Sequence, residues 1–196
     1  MVAVLGLFTL ISLWMWRAFD ELWRQLTLEI TAITGNLLMF VAIVWGGAAG
    51  CMPVLIAWAA VTGTLSWTPV ILFLIVFWWT PPHYWPLSMR YKEDYANAGV
   101  PMLPVVRKSS TVAIQIILYS WAMVTSALLL IPVAQMGWTY IVVSVVAGGW
   151  FVFEAYRLYR QGMKGEVKNP MRLFHMANTY LTLLFVVIAI DPLLPF

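Results

Sequence analysis

The residues most able to do chemistry lie in one polar stretch, residues 80–104, which begins inside an apolar run and ends in the most polar loop of the chain. Within it, the adjacent acids Glu93 and Asp94 follow two basic residues, Arg90 and Lys92. Magnesium is usually shared between one or two carboxylates and the phosphates of a substrate, and Lys or Arg neutralises the remaining charge. The pattern predicts a metal and phosphate site at a helix end. The alternative is an ordinary solvated loop.

Two prolines and a histidine stand before these charges. Pro81 and Pro82 lack backbone donors, so we expect the helix to bend or end there. His83 is then placed either to bond a freed carbonyl group or to contact a substrate, because ionisable residues inside membranes are functional candidates. A fixed turn after the charges is predicted by three residues: Gly99, Pro101 and Pro104.

A second histidine begins the last apolar run. His175 shares one helix face with Asn178 and Thr179, at spacings of three and four residues. Polar groups on one stripe of a membrane helix are expected to face the bundle interior. They could form interhelical hydrogen bonds or bind a cofactor or substrate, since histidine is a common axial ligand of haem iron.

The composition defines an integral membrane protein. The 196 residues are 63% hydrophobic and 10% charged, whereas a soluble domain carries about 25% charged residues. The net charge of +3 and the absence of a basic, aromatic patch argue against nucleic acid as a partner. Cys51 is the single cysteine, so no intrachain disulfide can form.

Apolar runs of about 20 residues predict six membrane helices, at residues 1–16, 36–61, 69–89, 112–133, 138–156 and 173–190. All Lys and Arg residues fall in the first, third and fifth connections, and none falls in the second or fourth. By the positive-inside rule, the basic connections are cytoplasmic and both termini lie outside.

Gly46 and Gly50 form a GxxxG pattern, which predicts close helix packing; a substrate-contacting break is the alternative.

Several segments resemble the protohaem IX farnesyltransferases, or haem O synthases, and most closely their actinobacterial members. These enzymes are UbiA-type intramembrane prenyltransferases. The resemblance runs from about Gly46 to the C-terminus and rests on these segments: Gly46-Gly-Ala-Ala-Gly, Trp58-Ala-Ala-Val-Thr-Gly, Trp79-Thr-Pro-Pro-His-Tyr-Trp, Tyr91-Lys-Glu-Asp-Tyr, Ala98-Gly-Val-Pro-Met-Leu-Pro-Val and Arg172-Leu-Phe-His.

The resemblance implies an all-α bundle of nine transmembrane helices, of which the six predicted here correspond to the fourth to ninth. It implies transfer of a farnesyl group from farnesyl diphosphate to a vinyl group of haem B, with Mg²⁺ bound to the diphosphate. Haem B is then a substrate. The implied catalytic residues are Arg90, Lys92 and Asp94, with Glu93 and Asp94 as metal ligands. The implied substrate-binding residues are His83, Tyr84, Tyr91, Glu93, Tyr95, His175 and Asn178.

In the implied mechanism, charge neutralisation draws off the diphosphate, the vinyl carbon attacks the allylic cation, and water completes the product. Aromatic faces attract cations, so an isoprenoid pocket could be lined by Phe73, Phe77, Trp78, Trp79 and Tyr84. Lipid contact is the alternative role for these rings.

The chain departs from the family pattern in its first 45 residues. The first acidic motif of the family is absent, because the only aspartates are Asp20, Asp94 and Asp191. We therefore expect an atypical segment, residues 1–45, with one short transmembrane helix and a polar connector. Residues 46–196 are expected to form the C-terminal part of a UbiA-type domain. A truncated form of this kind is expected to have reduced or no activity alone.

The alternative function is a non-catalytic, haem-handling or assembly protein on the same scaffold. For the enzyme, the expected partners are farnesyl diphosphate, haem B and the lipid bilayer of the plasma membrane, with haem A synthase or oxidase assembly proteins downstream. A transporter is not favoured, since no paired broken helices or internal repeat are present in the sequence.

Overall fold

The apolar runs form helices wherever the structure, a computed structural model, describes them. It describes Arg17, residues 46–165 and residues 167–194. The chain divides into two compact units, Met1–Leu38 and Met39–Phe196. Apart from Arg17, all the described residues belong to the second unit.

The described part of the second unit consists of helices and their connections. They are α1, described from Gly46 to Thr62, α2 (Trp67–Arg90), α3 (Lys92–Asn97), α4 (Leu103–Val106), α5 (Ser109–Ala134), α6 (Trp138–Met163), α7 (Met171–Ile190) and a final 3₁₀ turn, η1 (Asp191–Leu193).

Four of the described helices, α2, α5, α6 and α7 with η1, are long and apolar enough to cross a membrane. They confirm four of the six predicted spans. The predicted span 36–61 is described only from residue 46, where α1 is apolar and helical. The predicted span 1–16 lies outside the described residues. The all-α fold class is confirmed, and the protein is a multi-pass membrane protein.

The four long helices pack in a square. Helices α2 and α6 lie on opposite corners, and each packs against both α5 and α7. Large side chains fill the centre, including Ile75, Ile116, Met123, Tyr140 and Phe151, each at most 1% exposed. The Tyr140 hydroxyl group donates to the Ala127 carbonyl oxygen at 2.7 Å, which satisfies a polar group that would be costly to bury alone.

Of the two outcomes expected at Pro81 and Pro82, a bend or an end of the helix, the end does not occur. The helix continues through Pro81, Pro82 and Pro86 to Arg90. All three rings are buried in the unit, where neighbouring helices and side chains can compensate for lost backbone bonds. Thr80, just before the pair, donates its hydroxyl to the Val76 carbonyl oxygen at 3.0 Å.

The close helix contacts that the structure describes involve other glycines than those of the predicted GxxxG pattern. Among the described residues, a Cβ atom on Gly46 or Gly50 would meet nothing within 4 Å, whereas a Cβ on Gly47 would lie 3.7–3.8 Å from Phe77 and Thr80 of α2. Helix α1 therefore packs on α2 through Gly47, and the described residues show no close contact at Gly46 or Gly50. The tightest approach is at Gly148 of α6, where a Cβ would lie 3.0 Å from a Val124 methyl group of α5.

One end of the square collects the basic residues of the second unit. Helices α2 and α6 end there, and helices α5 and α7 begin there. A Cβ on Gly162, near the end of α6, would lie 3.2 Å from the backbone of Ser109. Residues 90–108 and 157–172 therefore meet at this end, which we call the basic end.

At the opposite end, Asp191 caps a neighbouring helix. Its buried carboxylate accepts hydrogen bonds from the backbone N–H groups of Gly137 (2.5 Å) and Tyr140 (3.1 Å) at the start of α6. Unpaired N–H groups at a helix start are stabilised by such acceptors, typically by about 1 kcal/mol. The sequence placed Asp191 after the last helix but gave no sign of this role.

Candidate functional site

The predicted phosphate-binding residues are contiguous and exposed at the basic end. Arg90 is the last residue of α2, Tyr91 links the helices, and Lys92, Glu93 and Asp94 form the first turn of α3. All five side chains are exposed. Two cationic and two anionic groups are thus offered to solvent from one short segment, which is the arrangement expected for a metal and phosphate site. A solvated loop would also expose its charges.

The turn after α3 is fixed, as predicted. Gly99 has a φ of 66°, a left-handed conformation that glycine adopts without strain. The N–H of Val100 bonds to the Tyr95 carbonyl oxygen and that of Gly99 to the Ala96 carbonyl oxygen, which is a Schellman cap. Met102 and Pro104 are then buried. The turn therefore returns the chain to the bundle and holds α3 in place.

A tyrosine pair ties α3 to α2. The side chains of Tyr84 and Tyr95 lie close enough to interact, and both are half-buried. Tyr84 lies in α2, about two turns before Arg90. The structure thus brings together two of the predicted substrate-binding residues.

His83 lies in an aromatic stack between α2 and α7. Its ring stacks on Trp79 at a centroid distance of 4.2 Å and on Phe174 at 4.5 Å. The indole N–H of Trp79 donates to the Ala177 carbonyl oxygen at 2.8 Å. Nδ1 of His83 is buried and has no hydrogen-bond partner among the described residues, so no freed carbonyl group of this part of the chain accepts a bond from this atom. The substrate-contact alternative for His83 stays a prediction.

The polar stripe of α7 faces outward within the described unit. His175, Asn178 and Thr179 are all exposed, and the Thr179 hydroxyl donates back to the His175 carbonyl oxygen at 3.0 Å. Leu173, Ala177 and Tyr180 occupy the face of α7 that is buried in the described unit, and the expected place of the stripe in the interior of a full bundle stays a prediction. The His175 ring contacts Phe174 edge to face at 5.4 Å, so both histidines touch the same phenylalanine.

No hydrogen bond or ion pair among residues 46–165 and 167–194 joins His175 or Asn178 to α3. His83 and Tyr84 are adjacent in α2, yet His83 contacts Phe174 of α7 and Tyr84 contacts Tyr95 of α3. By these contacts, the predicted residues form two groups. One is the charged turn with Tyr84 and Tyr95, and the other is the pair of histidines around Phe174.

The proposed isoprenoid pocket is divided by the packing. Trp79 belongs to the histidine stack, whereas Trp78 leans on Tyr119 of α5 at 5.8 Å. Phe73 and Phe77 stack on each other at 6.1 Å. Because α2 turns 100° per residue, Phe73, Phe77 and Tyr84 share one face of the helix, whereas Trp78 and Trp79 lie on its other sides.

Sequence reasoning missed Glu154. This carboxylate is 5% exposed, and Oε1 lies 3.0 Å from Nε of Arg172 in α7 and 3.7 Å from Arg157. Its other oxygen, Oε2, has no hydrogen-bond partner within the described residues. A lone acid among the apolar and aromatic residues of α6 was the available signal, because intramembrane charges are rare and paired.

The donor set suits a shared magnesium ion rather than a protein-only metal site. No group of three or more His, Cys, Asp or Glu residues converges among the described residues. Glu93 and Asp94 offer two carboxylates, which matches the one or two that Mg²⁺ takes when substrate phosphates and water complete its shell.

These features define a class: an integral membrane helix bundle with a carboxylate and lysine cluster on the connection between two spans. Comparison with known proteins gives the family. The model of the UbiA prenyltransferase family matches residues 1–179, and the chain belongs to this family. The match includes residues 1–45, and the division of the domain at residue 45 stays a prediction.

Curated relatives share the resemblance noted in the sequence. The chain is 63% identical over 154 residues to a protein named protoheme IX farnesyltransferase from Clavibacter sepedonicus, covering 79% of the chain and 50% of the relative. Proteins of the same name from Leifsonia xyli (62% over 154 residues, 79% of the chain and 50% of the relative) and Streptomyces avermitilis (56% over 156 residues, 78% and 51%) are similar. The chain spans about half the length of these relatives. No solved structure matches it.

Proposed function

We propose that this chain is part of a protohaem IX farnesyltransferase, which transfers a farnesyl group from farnesyl diphosphate to a vinyl group of haem B to give haem O. The observation that carries the proposal is the identity of 63% to a relative of that name. It extends over the segment that contains the exposed charged turn. Because the chain spans half of its relatives, we propose reduced or no activity for the chain alone.

The charged turn is the proposed diphosphate site. Lys92 and Arg90 bind phosphate oxygens and stabilise the negative charge that grows on the leaving group. Asp94, with Glu93, holds the metal ion that accompanies the diphosphate; when bound, Mg²⁺ supplies further charge neutralisation. Tyr91 and the Tyr84–Tyr95 pair contact the substrate.

The transfer breaks the bond between C1 of the farnesyl group and its oxygen, and the electron pair leaves with the diphosphate. The allylic carbon then forms a carbon–carbon bond with the terminal vinyl carbon of haem B. Water adds to the resulting cation and loses a proton, which leaves a hydroxyl group. His83, His175 and Asn178 are the proposed contacts for haem B.

The proposed setting is the plasma membrane with the basic end in the cytoplasm and both termini outside. The clustering of Lys and Arg residues at one end of the bundle supports this orientation. Haem O released there is a substrate for a downstream enzyme that oxidises it, or for oxidase assembly, and these are the proposed partners.

A chimera tests the proposal. The part of the Clavibacter sepedonicus relative that precedes the matched region is fused to residues 46–196, and the purified protein is incubated with haem B, farnesyl diphosphate and Mg²⁺. We expect haem O by mass spectrometry from the chimera and little or none from the 196-residue chain. The relative itself serves as the positive control.

Two results would count against the proposal. A folded chimera that makes no haem O beside an active relative would favour the alternative, a non-catalytic haem-handling protein. That alternative is supported by the absence of the first acidic motif from the sequence. Full activity of the 196-residue chain alone would overturn the proposed loss of activity, since the turn at residues 90–94 would then suffice.

A further inference from the structure

A furrow runs along the outer side of the contact between α5 and α6. It holds about 390 Å³ and is lined mainly by apolar atoms, with Gly148 and Gly149 at its floor and Trp121 and Phe153 among its walls. No residue of the charged turn or of the histidine stack lines it, so it is separate from the proposed site.

The floor of the furrow is open because of the second glycine. Gly148 is buried against Val124, whereas a Cβ on Gly149 would meet nothing within 4 Å. Continuing along α6, the stripe of Gly149, Phe153, Tyr156 and Arg160 follows helical spacing of four, three and four residues. The stripe spans about 16 Å along the helix axis, so an extended chain could lie along it.

The end of the furrow nearest the basic end is polar and cationic. Arg160, three residues before the end of α6, lines this end, and the indole N–H of Trp121, farther along the furrow, is 3.4 Å from the Tyr156 hydroxyl oxygen. Arg160 is exposed and forms no ion pair with any residue of the described ranges 46–165 and 167–194. By contrast, the adjacent Arg157 is engaged with Glu154. One guanidinium group is thus left to meet an anion at the membrane surface.

We propose that this furrow binds an anionic phospholipid, with one acyl chain along Gly149 and Phe153 and the phosphate on Arg160. The occupant is identified by charge and shape together. A single arginine matches a singly charged phosphodiester, and guanidinium groups bind phosphate oxygens in a bidentate manner. No carboxylate lines the furrow to hold a metal with a diphosphate.

The test is native mass spectrometry of the purified 196-residue chain in detergent. The chain is exposed to phosphatidylglycerol and phosphatidylcholine that carry the same acyl chains. We expect one phosphatidylglycerol molecule to be retained in preference to phosphatidylcholine. Arg160→Gln should reduce phosphatidylglycerol affinity roughly fivefold, as expected for about 1 kcal/mol per basic residue near the membrane, and leave phosphatidylcholine unaffected. Gly149→Leu should fill the furrow and reduce the retention of both lipids.

Matched variants keep the test specific. Arg107→Gln removes an exposed cation of the basic end that does not line the furrow, and should retain wild-type lipid preference. Gly149→Ala should give an intermediate loss, and both glycine variants should keep wild-type Tm because the position is open. Equal retention of the two lipids, or unchanged retention in Gly149→Leu, would overturn the proposal. So would an equal loss in Arg107→Gln and Arg160→Gln, which would show general electrostatic attraction.

Discussion

At the scale of single residues, the exposed charged turn and the buried ion pair of Glu154 with Arg172 have different roles. Arg90, Lys92, Glu93 and Asp94 are exposed, so they contribute little to folding and are free to bind a ligand. Glu154 is buried and held by Arg172 at 3.0 Å. It therefore acts on the packing of α6 against α7, close to the histidine stack that Phe174 completes.

Asp94→Asn tests the charged turn. In the chimera, the substitution removes a carboxylate without changing size, and we expect transition-state stabilisation to fall by about 2–4 kcal/mol, roughly 30- to 1,000-fold in turnover. Haem binding, followed by absorbance, should persist. Asn97→Ala, on the exposed side of the same short helix, is the control with near-normal turnover. Wild-type kinetics in Asp94→Asn would favour the alternative, in which this turn is an ordinary solvated loop.

Arg172→Gln tests the buried pair. The change leaves the Glu154 carboxylate with Arg157 alone, at 3.7 Å. We expect a loss of about 2 kcal/mol, or roughly 4–8 °C in the Tm of the detergent-purified protein. Arg157→Gln keeps the shorter contact and should shift the Tm far less. Equal Tm shifts in the two variants would show that the 3.0 Å contact with Arg172 stabilises the protein no more than the 3.7 Å contact with Arg157.

At the scale of elements, hydropathy predicts where the helices are and misses how they end. The sequence predicted spans at 138–156 and 69–89, whereas α6 runs over Trp138–Met163 and α2 over Trp67–Arg90. Hydropathy falls where Arg157 and Arg160 appear, but helical hydrogen bonding continues through them into the basic end. The apolar content of the sequence predicts the part of each helix that crosses the membrane, whereas backbone hydrogen bonding sets where the helix begins and ends.

Local rules failed where tertiary packing decides. Pro81 and Pro82 suggest a helix end, yet α2 continues because neighbouring elements bury both rings. The Gly46 and Gly50 pattern suggests close packing, yet in the described part of the chain Gly47 and Gly148 make the tight contacts. Which face of a helix meets a neighbour cannot be read from a short glycine pattern alone. Gly99 was predicted correctly, because its turn is set by local backbone conformation.

Substitutions at two adjacent glycines test the α5–α6 contact. Gly148→Val places methyl groups against Val124, where a Cβ alone would be 3.0 Å from a methyl group, and should destabilise the protein by about 1–3 kcal/mol through overpacking. Gly149→Val makes the same chemical change at an open position and should be within about 0.5 kcal/mol of wild type. Thermal unfolding in detergent measures both.

A compensating change sharpens this test. Adding Val124→Ala to Gly148→Val should restore much of the lost stability, because it removes the methyl groups that clash. Additive losses in the double variant, with no recovery, would contradict the close contact between these two positions.

At the scale of the whole molecule, the segregation of Lys and Arg residues to one end supports the proposed orientation in the membrane. The uncharged connections between α1 and α2 and between α5 and α6 lie opposite the basic end. Segregation of this kind could be predicted from sequence, since it needs only the order of apolar runs and basic residues. The split of the predicted site residues into two groups could not, because it depends on how α2 and α7 pack around Phe174.

Cysteine labelling tests the orientation. Cys51 is 1% exposed, and replacing it with Ala gives a background without thiols. Single cysteines at Thr64 and at Lys108, both exposed, should then react with a membrane-impermeant reagent from opposite sides, Thr64 from outside intact cells and Lys108 only after lysis. Labelling of both positions from one side is incompatible with the proposed topology.

The central claim is that the turn at residues 90–94 binds the diphosphate of an isoprenoid with magnesium, and equilibrium binding of farnesyl diphosphate to the purified chain tests it most directly. We predict binding that requires Mg²⁺, is competed by inorganic diphosphate, and weakens about tenfold in Lys92→Gln, as expected for loss of one charge-assisted contact. Lys164→Gln, an exposed cation on the other basic connection, should bind like wild type. Binding that persists in EDTA, or is equal in Lys92→Gln and wild type, would contradict the account.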